Sequence, residues 1–430
     1  MNKNALRTTV VASGLLLAGH AWATNGMLME GYGPVGLSMG GAAQAYDNGT
    51  AAMMNNPATL QLGENGTRAD LAIGLLGPNV TAMGEKSGGS AYWMPAFGWI
   101  RKNDQLSYGV GVMGQGGMGT EYGANSQMAM GTGEPVRSEL AVGRVIFPVS
   151  YKVNTQLNVG GSLDYSWSSL DLRMAATAGQ LGQMFTAGSG AFAPANLPQS
   201  GMARIDFSNN NGFTGAAKSS GFTGKLGLTY AFDSALTLGA SYQFKTALAD
   251  MKTAASGASL TMGGQVIPGQ MVIQNFQMPS ILAAGLAFQA NPKLMLVADV
   301  KRINWASVME SFKMTFSNAY GAVSFAMPQN WKDQTVLSLG GAYKLDDAWT
   351  VRAGYSHSTN PVPESTVNPL FPAIVKDHFT AGFGYRISKS TSLETAVSHA
   401  PKVTVAAGQL GGQPITHSQT NYQLMLSYRY

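Results

Sequence analysis

The sequence predicts an all-β fold: a transmembrane antiparallel β-barrel of about 14 strands, with an N-terminal plug (hatch) of short helices in the lumen. Three observations carry this reading. Apolar and polar side chains alternate from Thr67 to the C-terminus, the breaks between strands are short and long in turn, and charge is scarce for a chain of this length.

The last strand shows the alternation most clearly. Tyr422, Leu424, Leu426, Tyr428 and Tyr430 share one face, and Gln423, Met425, Ser427 and Arg429 share the other. Aromatics at both ends of an aliphatic middle suit a face laid against lipid between two interfaces. Leu236, Leu238, Ala240, Tyr242 and Phe244 repeat the pattern, as do Phe379, Ala381, Phe383, Tyr385 and Ile387.

Only 11% of the 430 residues are charged, and 54 are glycine. A surface built from that composition hydrates poorly. No run of about 18 apolar residues occurs, which excludes a helical membrane span. A barrel resolves the conflict because alternation hides its apolar face from averages such as the mean hydropathy of +0.00. The modest formal charge of +5, without a basic block interleaved with aromatics, excludes nucleic acid as a partner. No cysteine is present, and strand pairing makes disulfides unnecessary.

In chain order, residues 1–23 read as a secretory signal peptide. Lys3 and Arg7 precede a short apolar stretch, and Ala21-Trp22-Ala23 is a small-x-small cleavage site. Residues 24–63 do not alternate and are rich in small residues, Gly40, Gly41, Ala42 and Ala43 among them, which suits a hatch packed inside the barrel; a flexible tail is the alternative. Residues 64–430 form the barrel. Its tight turns are expected at Lys102 to Gln105, Asn154-Thr155, Asp233-Ser234, Asn291 to Lys293, Asp346-Asp347 and Lys389-Ser390. Longer loops are expected at Gly77 to Ser90, Gly119 to Val136, Leu172 to Ser219, Asp250 to Gln270, Asn318 to Gly321, Ser358 to Val375 and Ala406 to Thr416. That regular exchange is the bacterial outer-membrane pattern, with turns in the periplasm and loops outside.

If the apolar parity faces lipid, the other parity lines the lumen. Arg144, Lys225, Lys245, Lys301, Arg352 and Arg386 then share it with Asp70, Asp164, Asp299 and Glu394. These charges either pair with one another and with the hatch or offer a spare cation to an anionic head group. Arg144, Lys245 and Lys301 are the head-group candidates because they sit inside their strands. The outer loops are unusually apolar, with Met128, Met130, Met184, Phe185 and Phe192 as candidates for a capture groove; the alternative is that they only cap the barrel. Gly111, Gly114, Gly116 and Gly117 fall in the third strand, where glycine marks a bulge, a kink or a close approach and a kink opens a gap in the wall. For Gly116 and Gly117 a plain loop start is the alternative.

Residues and motifs now combine. Gly40-Gly41-Ala42 ahead of Asn56-Pro57-Ala58, then Asn330-Trp331-Lys332-Asp333 followed by Leu337-Ser338-Leu339-Gly340, then Trp349 to Tyr355 and Pro361-Val362-Pro363, resemble the long-chain fatty acid outer-membrane transporter family. That family includes relatives that take up aromatic hydrocarbons, and the resemblance covers essentially the whole mature chain. It implies a hatch, a capture groove between outer loops, a pocket inside the barrel and sideways release through a gap at the third strand. The expected partners are a hydrophobic small molecule, outer-membrane lipid and lipopolysaccharide, with no cofactor, no metal and a monomeric barrel. A general porin is the first alternative. A lipid hydrolase is the second, but His357, His378, His399 and His417 are scattered and Ser356 and Ser358 flank His357 on the opposite face of a strand.

Overall fold

The computed structural model describes residues 25–211 and 214–430, so the expected signal peptide lies outside the described residues. The wall strands in chain order are β1 (Gly66–Ala82), β3 (Tyr92–Lys102), β4 (Leu106–Tyr122), β5 (Val136–Lys152), β6 (Leu157–Thr177), β9 (Ala217–Ala231), β10 (Leu236–Gln243), β15 (Ile281–Asn291), β16 (Leu294–Ile303), β19 (Gln334–Lys344), β20 (Trp349–Ser358), β21 (Asp377–Arg386), β22 (Thr391–Ala407) and β23 (Gln413–Arg429). Each pairs antiparallel with the next, and β1 closes the circuit on β23, so no wall strand is left as an edge.

The outer connections carry the remaining strands: β2 (Glu85–Lys86), β7 (Phe185–Gly190), β8 (Met202–Phe207), β11 (Ala247–Leu248), β12 (Met251–Lys252), β13 (Ala258–Met262), β14 (Gln265–Gln274), β17 (Ser311–Asn318) and β18 (Gly321–Pro328). They pair in the order β6, β8, β13, β14, β17, β18, β7 and make a laddered cap at one end of the barrel.

Two expectations about the fold are corrected here. About 14 strands do not account for the sheet, which among the described residues holds 23, because segments read as loops alternate and pair as the wall does. Asn318 to Gly321 does not join wall strands: it is the tip of the β17–β18 hairpin, inside an excursion that leaves β16 at Ile303 and returns at Gln334. The hatch, in turn, contains little helix. Its described residues hold one short α-helix, α1 (Pro34–Leu37), and two 3-10 stretches, Gly49–Met53 and Pro57–Leu62. Gly40 and Gly41, both at positive φ, end the helical run. They let the hatch backbone lie directly on the wall, where a Cβ on Gly40 would sit 2.5 Å from the Tyr355 carbonyl oxygen.

The largest apolar core lies in the cap. Ile205, Phe207, Leu260, Met271, Ile273, Met314, Phe316, Val323 and Phe325 alternate inward from its strands. A second cluster packs Val35, Met39, Ala42 and Tyr46 of the hatch against Val297, Ala342 and Met425 of the wall. Outside, Leu71, Leu163, Phe222, Leu339, Tyr422 and Leu424 are exposed, as a lipid-facing belt requires. Near the tight turns, Trp349 stacks on Tyr385 at 4.4 Å and Tyr428 on Tyr430 at 5.6 Å, forming an aromatic girdle.

Candidate functional site

The ladder between β3 and β4 is incomplete. It runs from Lys102↔Ser107 to Phe97↔Val112 and stops there, although β3 continues back to Tyr92 and β4 onward to Tyr122. Pro95 pairs with Ile73 of β1 but falls in the part of β3 that has no partner on β4, and it has no N–H to donate. On the other side of β4 the register with β5 slips between Gly114 and Gly116, the signature of a bulge, so β4 bends away from β3. A cavity of about 270 Å³ occupies this gap.

Its lining comes from both faces of the wall. Trp93 and Val112 stand on the lipid face, 51% and 40% exposed, while Val80, Leu140 and Val142 are buried on the lumen side, and all five border the same cavity. Trp167 of β6, and Pro372 and His417 from the outer side, complete it. The expected gate glycines converge here. Gly114, Gly116 and Gly117 line the cavity, and Gly111 lies just inside the last paired residues, where a Cβ would meet Met53 Sδ at 2.7 Å. Gly116 and Gly117 are strand residues, not a loop start. They are covered by the hatch: the Gly117 N–H donates to the Met27 carbonyl at 3.0 Å and Leu28 forms a bridge with Gly116.

The hatch motif is an anchor. Asn56 donates through Nδ2 to the carbonyls of Gln44 at 2.8 Å and Leu228 at 3.0 Å, and its Oδ1 accepts from the Ala58 N–H at 3.1 Å, capping the helical turn that Pro57 begins. The wall leaves room for it at Gly227, where a Cβ would lie 2.0 Å from Asn56 Oδ1. Asn56→Ala therefore removes the bond to the buried Gln44 carbonyl, the added bond to Leu228 and the cap, at a cost of about 2 kcal/mol. Limited proteolysis of the folded protein should then cut the hatch segment sooner than in the parent.

The three head-group candidates are occupied or misplaced. Arg144 is buried, pairs with Asp164 at 3.0 Å and donates to Gln115 Oε1 at 2.8 Å. The Lys301 ammonium donates to the Gly41 carbonyl of the hatch at 2.8 Å, beside Asp299, which accepts from the Ala43 N–H at 2.6 Å. Lys245 is a correction: β10 ends at Gln243, so Lys245 is past the wall strand and exposed rather than in the lumen. Of the remaining lumen charges, Arg352 pairs with Glu394 at 2.7 Å, Asp70 with Arg68 at 2.8 Å, and Lys225 donates to the carbonyls of Met54 and Asn55, while Arg386 is exposed at the end of β21. In the hatch, burial pushes the Tyr32 phenol above its usual range, so it remains a neutral donor to the Gln115 carbonyl at 2.7 Å.

The capture-groove candidates separate. A second cleft, of about 380 Å³, opens in the cap between α2 (Ala178–Met184) and β8, and Phe185 lines it with Leu181, Leu197, Met202, Met262 and Phe325. Met184 packs against the cap core without lining the cleft. Met128 and Phe192 lie inside that core, Phe192 edge-on to Phe316 at 5.7 Å, and Met130 sits half-buried at a left-handed turn. Trp93, Val142 and Trp167 of the wall cavity escaped the sequence reading; only Trp167, an aromatic in the middle of its strand, carried a signal that could have found it.

Among the described residues, the segment 25–63 packs inside a closed barrel whose β3–β4 ladder is interrupted, which is the build of an outer-membrane transport barrel. The chain belongs to the outer membrane protein transport protein family (OMPP1/FadL/TodX), whose profile matches residues 14–425. It is 24% identical to the long-chain fatty acid transport protein of Escherichia coli K12, over 92% of this chain and 91% of that one. Among solved structures, the Pseudomonas putida toluene transporter TodX superposes with a TM-score of 0.82 at 32% identity, covering 93% and 99% of the two chains. The Ralstonia pickettii toluene transporter TbuX does so with a TM-score of 0.79 at 30% identity, covering 93% and 99%. These relatives are transporters rather than enzymes, and the protein is accordingly an outer-membrane transport protein for hydrophobic substrates.

Proposed function

We propose that the protein takes up small uncharged hydrocarbons, monoaromatics foremost, by capture in the cap cleft, transfer to the wall cavity and sideways release into the membrane. One observation carries the route: lipid-facing Trp93 and lumen-facing Val142 border a single cavity where the β3–β4 ladder is missing. Lipopolysaccharide repels apolar solutes, and a water-filled pore would expose each methylene at about 0.8 kcal/mol. A string of apolar sites with a side exit avoids that penalty. Transport is passive and runs down a gradient, and the closed ladder lets a monomer suffice within outer-membrane lipid and lipopolysaccharide.

The preference for an uncharged ligand rests on charge placement. Arg144 and Lys301 are engaged by Asp164 and the hatch, and the charged side chain that borders the wall cavity is the carboxylate-bearing Glu139. Glu139 is itself paired with Arg137, so a fatty acid head group finds no spare cation among the residues that line the cavity. The cavity size also suits one ring, since apolar cavities of about 150 Å³ already take benzene. Similarity to the toluene transporters TodX and TbuX supports the same choice.

The test compares radiolabelled toluene and laurate in cells with and without the protein. Protein-dependent toluene entry that exceeds laurate entry is expected, with no steady ion conductance in planar bilayers. Steady conductance would instead identify a general porin, and a preference for laurate would return the substrate to the fatty acids.

A further inference from the structure

Sideways passage leaves open what holds the N-terminal segment across the gap. It also leaves Asn330-Trp331-Lys332-Asp333 without a role. The geometry answers both at once. Trp305, fully buried, donates through Nε1 to Gln334 Oε1 at 3.2 Å, and its indole lies against Gly26, where a Cβ would come within 2.7 Å of the ring. The next residue, Met27, supplies the carbonyl that holds Gly117 in the breached strand.

Trp305 is itself held by the motif. Trp331 packs edge-on against it at 5.1 Å, and Asp333 Oδ1 accepts from the Ala306 N–H at 3.0 Å while its other oxygen pairs with Arg302 at 3.1 Å. Asn330 takes the left-handed turn that brings Trp331 round, and the Lys332 N–H donates to the Pro361 carbonyl at 2.7 Å, tying in the Pro361-Val362-Pro363 segment. The four residues thus form the base of the β17–β18 hairpin. That hairpin is one continuous ladder from Ser311↔Pro328 to Asn318↔Gly321, and its Phe325 lines the capture cleft of the cap.

We propose that Trp305, braced by Trp331, is the positioning residue that keeps Met27 and Leu28 across the gap, and that an apolar ligand in the cap cleft loosens it through the hairpin. The ligand works by differential affinity: it must bind the cleft better when Phe325, and with it the hairpin base, has moved. This deepens the sideways-release reading and rests on it.

The protein contains no cysteine, so Leu28→Cys places a single thiol in the gap. Maleimide labelling of the full folded protein in detergent then follows the hatch segment alone and is independent of any uptake assay. Labelling should be slow in this parent and about tenfold faster either with saturating toluene or with Trp305→Ala, because labelling tracks the open population. Toluene should add nothing further in Trp305→Ala, and Trp305→Phe should restore the slow rate. Trp331→Leu, which leaves Trp305 in place and removes its brace, provides the same reading where Trp305→Ala fails to fold. Parent-like labelling in a folded clamp variant overturns the clamp. Toluene-independent labelling of the parent overturns the coupling to the cap. Either result can occur while uptake through the gap is intact, so the two proposals fail separately.

Discussion

Val142→Trp should bring toluene uptake down to the level of cells lacking the protein. Val142 is buried on the lumen side of the wall cavity and sits opposite Gly116 in the slipped ladder. An indole there fills much of the cavity of about 270 Å³ through which sideways release is proposed. Overpacking of this kind costs about 1–3 kcal/mol, too little to open a barrel closed by its own backbone ladder. The folded state is checked by its altered mobility on unheated SDS gels. Leu339→Trp is the control, since Leu339 faces lipid on β19, away from the gap, and should leave uptake unchanged. Parent-level uptake by a folded Val142→Trp protein would mean that cargo takes another way through.

How far the fold could be read in advance depended on which interactions were local. The period of two assigned faces correctly along the wall: Tyr422, Leu424, Leu426 and Tyr428 are exposed and Met425 and Ser427 buried, as their parity required. Tight turns were legible as well, because Asn103, Asn154, Asp233, Asn291 and Asp346 each accept backbone N–H bonds two or three residues ahead, a purely local device. The cap was not legible for the converse reason. Met271 and Ile273 alternate as well as any wall strand, and parity says nothing about whether the next strand over belongs to a barrel or to a ladder above it.

The site divides along the same line. Glycines in β4 announced a disturbed strand, but the length of missing ladder depended on β3, where Pro95 passed unremarked. Placing Arg144 and Lys301 in the lumen needed only parity. Learning that Lys301 serves the hatch needed Gly41, a residue far away in sequence that meets it only after the chain has closed into a ring. Lys245 failed because β10 stops two residues earlier than the alternation suggests: Phe244 still bonds β9 through its N–H to the Gly224 carbonyl at 3.0 Å, and the chain then leaves the wall.

Arg144→Ala distinguishes a structural cation from a ligand-binding one. Arg144 and Asp164 are each about 1% exposed and lie 3.0 Å apart. Removing the guanidinium leaves a buried carboxylate without its counter-charge, which costs about 3–5 kcal/mol. Urea unfolding in a bilayer should therefore shift to clearly lower denaturant, and uptake of toluene and laurate should fall together as the lumen loosens. Adding Asp164→Ala should recover part of the lost stability, because the second change removes the orphaned charge and leaves two neutral side chains. A cation that holds a carboxylate head group predicts a different pattern: stability close to the parent, laurate uptake lost and toluene uptake kept. That outcome would reassign Arg144 from a strut between β5 and β6 to the recognition of a charged cargo, and the preference for uncharged hydrocarbons would go with it.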